Sequence, residues 1–221
     1  MSKGKVIIFE GIDGAGKTTI ANAIGQYDEF VFVNRKQVSQ INDFIDSQML
    51  KHNKLLWTED GNKDHLIPVD YWIHLQAAWY ILLVNFVIEP LLDAGKNVIV
   101  DGWYYKLKAR LYLQDQNMDY FDSAFDILIK PDLVILFDVD IKKVWERKKN
   151  FRAYEFGKFK NNDIKEIQNS FIDYQSNTYE KLKEMALNNS WTVVSLNEYN
   201  IDECVKLLKD ILLNYLECGG L

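Results

Sequence analysis

Lys5-Val6-Ile7-Ile8-Phe9-Glu10-Gly11-Ile12-Asp13-Gly14-Ala15-Gly16-Lys17-Thr18-Thr19 is the stretch that decides the fold. Its first six residues form a nearly continuous apolar run, which predicts a strand covered on both faces. The strand ends directly at Gly11, and Ile20-Ala21-Asn22-Ala23-Ile24 continues from Thr18 and Thr19 as a helical pattern. A glycine-rich loop between strand and helix, closing in Gly-Lys-Thr, is a cradle for phosphate. Gly11, Gly14 and Gly16 let successive backbone N–H groups converge on phosphate oxygens, and the helix N-terminus adds its positive dipole end. Lys17 is predicted to reach the β- and γ-phosphates and the Thr18 hydroxyl to ligate Mg²⁺. The strand and helix on either side set the pattern apart from a glycine-rich turn with an incidental lysine.

Four more Val-, Ile- and Phe-rich runs read as strands: Phe30 to Asn34, Asn97 to Asp101, Leu133 to Asp138, and Trp191 to Leu196. Between them, apolar residues step by three or four, as in Ile164, Ile167, Phe171, Tyr174, Thr178, Leu182 and Met185, and again from Ile201 to Tyr215. Strands alternating with helices predict a doubly wound α/β sandwich of three layers with a five-stranded parallel sheet, the P-loop nucleoside triphosphate hydrolase fold. No repeat or Pro/Gly/Ser linker divides the 221 residues, so one domain over 1–221 is expected. The polar stretch Lys51 to Asp64 reads as a surface loop, and the final Cys-Gly-Gly-Leu as a frayed end.

Composition excludes several function classes. With 48% apolar residues the chain can bury a sizeable core, and a net charge of −6 disfavours a nucleic-acid polymer as partner. The two cysteines, Cys204 and Cys218, lack metal-ligand spacing and read as reduced. His52, His65 and His74 form no ligand spacing either. No signal peptide opens the chain, so a cytoplasmic location is expected. Val69 to Leu92 is apolar enough to raise a membrane span, but Asp70, His74, Gln76, Asn85 and Glu89 interrupt it, so a helix buried in a core or against a partner subunit is expected instead.

Phe9-Glu10-Gly11-Ile12-Asp13-Gly14-Ala15-Gly16-Lys17-Thr18-Thr19 closely resembles the start of thymidylate kinases, and the resemblance extends more weakly over nearly the whole chain. Glu89 to Asp101 looks like the family's helix end and third strand. Leu136-Phe137-Asp138-Val139-Asp140, followed by a helix reaching Arg147, looks like the strand before its lid, with Glu155 and Tyr174 where a lid glutamate and a helix tyrosine are expected. The resemblance implies phosphoryl transfer from ATP to a nucleoside monophosphate, dTMP first, by a homodimer. It implies ATP binding by Gly11, Asp13, Gly14, Ala15, Gly16, Lys17, Thr18 and Thr19, and a carboxylate at Asp13 for the acceptor sugar. Asp101, at the carboxyl end of its strand, is placed for Mg²⁺ beside Thr18; a turn or N-cap aspartate is the alternative. Arg147, Lys148, Lys149 and Arg152 put four cations in six residues, matching a lid around 147–160. The family divides into members with a basic residue inside the phosphate loop and members that place it in the lid; Gly14 is not basic, so the resemblance implies the second type, with Arg147 or Arg152 as the finger.

Three departures fall on the acceptor side. Gly102, followed by Trp103 and Tyr104, stands where the family has an arginine for the acceptor phosphate. Arg35 is followed by Lys36-Gln37-Val38 instead of Glu-Pro-Gly, and Tyr80 stands where the long helix carries a base-binding arginine. Lys106, Lys108 and Arg110 follow at once, and Lys106 and Arg110 share a face if that segment is helical. Arg35 or Arg110 is the expected replacement, with Trp72, Trp79, Tyr80, Trp103, Tyr104 and Tyr105 as a stacking wall for a planar group. A kinase with another acceptor, and a nucleotide-binding protein with little catalysis, remain open at this point.

Overall fold

The computed structural model describes residues 3–57, 66–148, 155–156 and 164–218. Five strands, β1 (Val6–Glu10), β2 (Phe30–Val33), β3 (Asn97–Val100), β4 (Leu133–Asp138) and β5 (Thr192–Ser195), form one parallel sheet in the order β2-β3-β1-β4-β5. β1 lies at its centre, pairing Val6 with Val98 on one side and Ile7 with Leu133 on the other. The chain leaves β1 for β2 and β3 on one flank and only then crosses to β4, so the sheet's switch point is the carboxyl end of β1. All five expected strands are present, each within a residue of its expected ends.

Strand side chains alternate between faces, and this splits the interior in two. Val6, Ile8, Val33, Val98 and Val100 pack one face against α2 (Asp43–Leu56), α3 (Val69–Leu83), α5 (Tyr105–Tyr112) and α6 (Met118–Phe125). Ile7, Phe9, Ile99, Ile135 and Phe137 pack the other against α1 (Lys17–Ile24), α7 (Ile141–Arg147), α8 (Ile164–Asn188) and α9 (Ile201–Glu217). α9 begins with a reciprocal cap: Asn200 accepts from Glu203 N, and Glu203 reaches back to Asn200 N.

One expectation is corrected. Lys51 to Leu56 continue α2 rather than forming a loop; residues 58–64 of that stretch lie outside the described residues. Asn42 caps the helix by accepting from Ile45 N, Asp43 and Asp46 favour its positive end, and Lys54 its negative end. The polar run hid a helix because its polar groups are used laterally. His52 Nε2 meets Leu75 O at 2.6 Å, and Asn53 Nδ2 donates to Lys36 O at 2.6 Å.

The apolar helical run Val69–Asp93 is long and apolar enough to cross a membrane by length and composition. In this fold it is a core element, burying Ile73, Ala77, Trp79, Tyr80, Leu83, Val84, Val87, Ile88 and Leu92. Pro90 has no N–H and its ring crowds the carbonyl four residues back. The backbone widens into a π turn over Val84–Ile88 just before it, with Glu89 N donating to Val84 O, and resumes as α4 (Glu89–Asp93).

Candidate active site

The phosphate loop sits at the carboxyl end of β1. Gly11, Gly14 and Gly16 take φ values of 145°, 81° and 89°, in the region that favours glycine. α1 begins immediately at Lys17 with no side-chain cap, so its first amides remain for a ligand. An open cleft is lined by Asp13, Gly14, Ala15, Gly16, Lys17, Thr18, Thr19, Arg35, Asp101 and Lys106. Lys17 is buried, and its ammonium donates to Gly11 O at 2.8 Å and Ile12 O at 2.7 Å. Burial, with Lys106 adding repulsion, pulls its pKa down to about 7 despite the attraction of Asp13 and Glu10.

Thr18 and Asp101 are brought together across the cleft: Thr18 Oγ1 donates to Asp101 Oδ2 at 2.5 Å, while Asp101 Oδ1 accepts from Arg35 N at 3.1 Å. A hydroxyl and a carboxylate are hard oxygen donors and fit Mg²⁺. Among the described residues no group of three or more His, Cys, Asp or Glu could hold a metal alone. That donor set suits a cation that keeps water and substrate phosphates as its main ligands.

Asp13 is the electrostatic hub of the loop. Its Oδ1 accepts from Lys106 Nζ at 2.5 Å and its Oδ2 pairs with Arg110 Nη2, both from α5. Lys106 and Arg110 therefore share a face, as their four-residue spacing requires. Burial pushes the Asp13 carboxyl up, but Arg110, Lys106 and Lys17 outweigh it and hold it well below the usual carboxylate range. Gln175, fully buried on α8, accepts from Asp13 N at 3.2 Å, donates to Asp13 Oδ2 at 3.3 Å and to Glu155 O at 2.8 Å. Tyr174, its neighbour, lies under the Arg110 guanidinium at 5.4 Å.

Of the lid cations, Arg147 Nη2 donates to Gly14 O at 2.5 Å, which brings the end of α7 onto the phosphate loop. Val144 on the same helix would meet a Cβ at Gly14 at 2.7 Å, so this approach needs glycine there. Lys148 pairs with Glu155 Oε2 at 2.5 Å. Arg152 and most of the expected lid lie outside the described residues.

The expected acceptor-side residues separate. Asp13 and Arg35 line the cleft; Tyr80, Trp103, Tyr104 and Arg110 do not. Tyr80 and Trp103 are packed into the core with ring centroids 4.6 Å apart, and Tyr104 stacks on Phe125 at 4.5 Å. Their aromatic surface is used on one another, so a free stacking wall is not formed by Tyr80 and Trp103. The indole N–H of Trp103 is nonetheless buried with no hydrogen-bond partner among the described residues.

Three residues have contacts at the site that sequence reasoning did not assign to them. Glu10, fully buried, accepts from Trp103 N at 2.7 Å and Gly11 N at 3.3 Å, joining the ends of β1 and β3 beneath the cleft. Trp79 donates its indole N–H to Arg35 O at 2.8 Å and so fixes the loop carrying Arg35. Gln175 had no local signal, because its partner Asp13 is 162 residues away.

The thymidylate kinase family model matches residues 9–198 of the chain. A probable thymidylate kinase of Pyrococcus abyssi is 27% identical over 217 residues, covering 96% of this chain and 98% of the relative. A thymidylate kinase of Prochlorococcus marinus is 26% identical, covering 95% and 94%. In three dimensions the chain is similar in fold to thymidylate kinase from Candida albicans, with a TM-score of 0.69 at 18% identity over 97% of this chain and 93% of that one. With its phosphate loop intact and the match running from β1 past β5, the chain belongs to the thymidylate kinase family.

Proposed function

We propose that the chain transfers the γ-phosphoryl group of ATP to dTMP, giving ADP and dTDP. The observation that carries this reading is the complete phosphate loop, with Lys17, Thr18 and Asp101 in one cleft, inside a family match over residues 9–198. An oxygen of the acceptor phosphate attacks the γ-phosphorus as the bond to the β-phosphate oxygen of ATP breaks. The protein's contribution is positioning and charge neutralisation. Lys17 leaves the loop carbonyls for the β- and γ-phosphates; Thr18 and Asp101 would hold Mg²⁺, which would neutralise phosphate charge when bound. Arg147 approaches from the lid side, at the Gly14 carbonyl of the phosphate loop. Asp13 and Arg35 face the acceptor, and Arg110 acts through Asp13. The test is ADP release with ATP and a panel of nucleoside, nucleotide and modified-nucleotide acceptors. Turnover with dTMP is expected; turnover only with other acceptors, or ATP binding without transfer, would overturn the assignment.

ATP binding is expected to take up a proton. With Lys17 at about 7, its side chain in the free protein is largely the neutral amine at pH 8, and the incoming phosphate charges favour the protonated ammonium. Calorimetric titrations at pH 8 in buffers of different ionisation enthalpy should report uptake approaching one proton per site, fading by pH 6. Equal heats in all buffers at pH 8 would contradict it.

We place the enzyme in the cytoplasm as a homodimer. Phe44, Leu50 and Leu55 on α2, Leu66 and Ile67 just before α3, and Tyr71 in its first turn expose large apolar side chains. Exposed apolar side chains in excess of what a monomer needs favour a subunit contact. Light scattering should give twice the 25.9 kDa chain mass at micromolar concentration; a monomer would remove the dimer.

A further inference from the structure

The residue after Asp101 has no side chain. Gly102 takes φ 113°, and a Cβ placed there would meet nothing within 4 Å, so open space lies at the end of β3. Four residues on, Lys106 stands in the first turn of α5. Helical side chains lean toward the N-terminus of their own helix, which is the end of α5 that Gly102 precedes. Lys106 lines the cleft together with Arg35 and Lys17. Arg110, one turn further along α5, lies outside that lining.

Asp13 holds these two cations differently. Arg110 pairs with Oδ2, with its guanidinium over the Tyr174 ring, so its planar head is fixed on two sides. Lys106 pairs with Oδ1 through a single ammonium on a flexible stem. If Lys106 turned away, Asp13 would keep Arg110 and the Gln175 amide, and no buried carboxylate would be stranded. Lys17, Arg35, Lys106 and Arg110 thus lie close to one another around Asp13 and the cleft.

We infer that Lys106 binds the phosphate of the acceptor monophosphate, moving from Asp13 Oδ1 onto a phosphate oxygen while Arg110 keeps Asp13 ionised and in place. This rests on the monophosphate-kinase reading above. It assigns to α5 the charge that residue 102 cannot supply, and it makes Arg110 a positioning residue.

The experiment compares the affinities of wild type, Lys106→Gln and Lys106→Arg for dTMP, for thymidine and for ATP by calorimetry, with wild-type turnover measured in parallel. Lys106→Gln should weaken dTMP by about 10- to 100-fold, the loss of one charge-assisted hydrogen bond. Thymidine and ATP affinities should stay near wild type, and Lys106→Arg should keep most of the dTMP affinity. A merely structural lysine would instead lower dTMP and thymidine by the same factor; that outcome, or an unchanged dTMP affinity, overturns the assignment. Should Lys106→Gln fail to fold, the same ratio is read on Lys106→Met, which retains the buried stem. A wild-type protein that binds no dTMP sinks the acceptor reading itself, and is distinguished from failure of the lysine assignment because no variant is needed to see it.

Discussion

Lys17→Ala is expected to lower kcat by at least about a hundred- to a thousandfold, the scale for removing one donor aimed at developing charge, while keeping the wild-type fold and a melting temperature at pH 7 no lower than that of the wild type. The two halves of this expectation come from the same geometry. The ammonium is buried at the floor of the cleft, where a charge acts on phosphate oxygens with little screening by water. In the free protein it donates to two loop carbonyls, Gly11 O and Ile12 O. Its pKa falls from 10.5 to about 7, so the folded state disfavours the charged lysine and removing it relieves a cost. The unfolded chain binds more protons than the folded one between these values, so this group makes wild-type stability rise with pH from about 7 to about 10.5. The variant should lose that slope. Steady-state kinetics with circular-dichroism melts at pH 7 and pH 9 measure both halves, and substantial retained activity would overturn the donor-site assignment.

The second large effect falls on stability. Asp13→Asn leaves Lys106 and Arg110 buried without their carboxylate, and breaking a buried pair from one side costs about 3 to 5 kcal/mol. For a chain of this length that corresponds to a melting temperature lower by about 6 to 20 °C. The pH dependence has a defined sign. The folded pKa of Asp13 lies well below its ordinary 3.8, so its stabilisation is present in full above that value and is lost as pH falls toward the depressed one. The variant should therefore lack the part of acid destabilisation that begins near pH 4. Adding Lys106→Gln should recover part of the loss, because one of two uncompensated cations is then removed; simple additivity of the two losses would argue that Asp13 and Lys106 do not interact. A melting temperature unchanged in Asp13→Asn would show that the hub is not structural.

Most of the fold was legible because it is written in local patterns. Continuous apolar runs such as Val6–Phe9 and Leu133–Phe137 can only be strands covered on both faces, and β1 to β5 lie where those runs predict. The long periodic helix Ile164–Asn188 was equally plain. α2 was not, because its polar Lys51, His52, Asn53 and Lys54 look like a loop until Leu75 O and Lys36 O are brought beside two of them. The aromatic residues misled in the opposite direction. Tyr80 and Trp103 look like a surface for a base, yet in the fold they cover each other.

The division in the site follows from distance along the chain. Gly11, Gly14, Gly16, Lys17 and Thr18 lie within eight consecutive residues, so their spacing alone determines a loop of converging amides followed by a helix N-terminus. Which cations face the acceptor had no such local record. The hydrogen bonds from Lys106 and Arg110 to Asp13 span 93 and 97 residues, and that of Gln175 spans 162. Only the parallel sheet, by setting β1 between β3 and β4, brings these elements to one point. The tertiary structure therefore decided that Lys106 lines the cleft and Arg110 stands behind Asp13, because a buried carboxylate takes the partners the packing puts within reach.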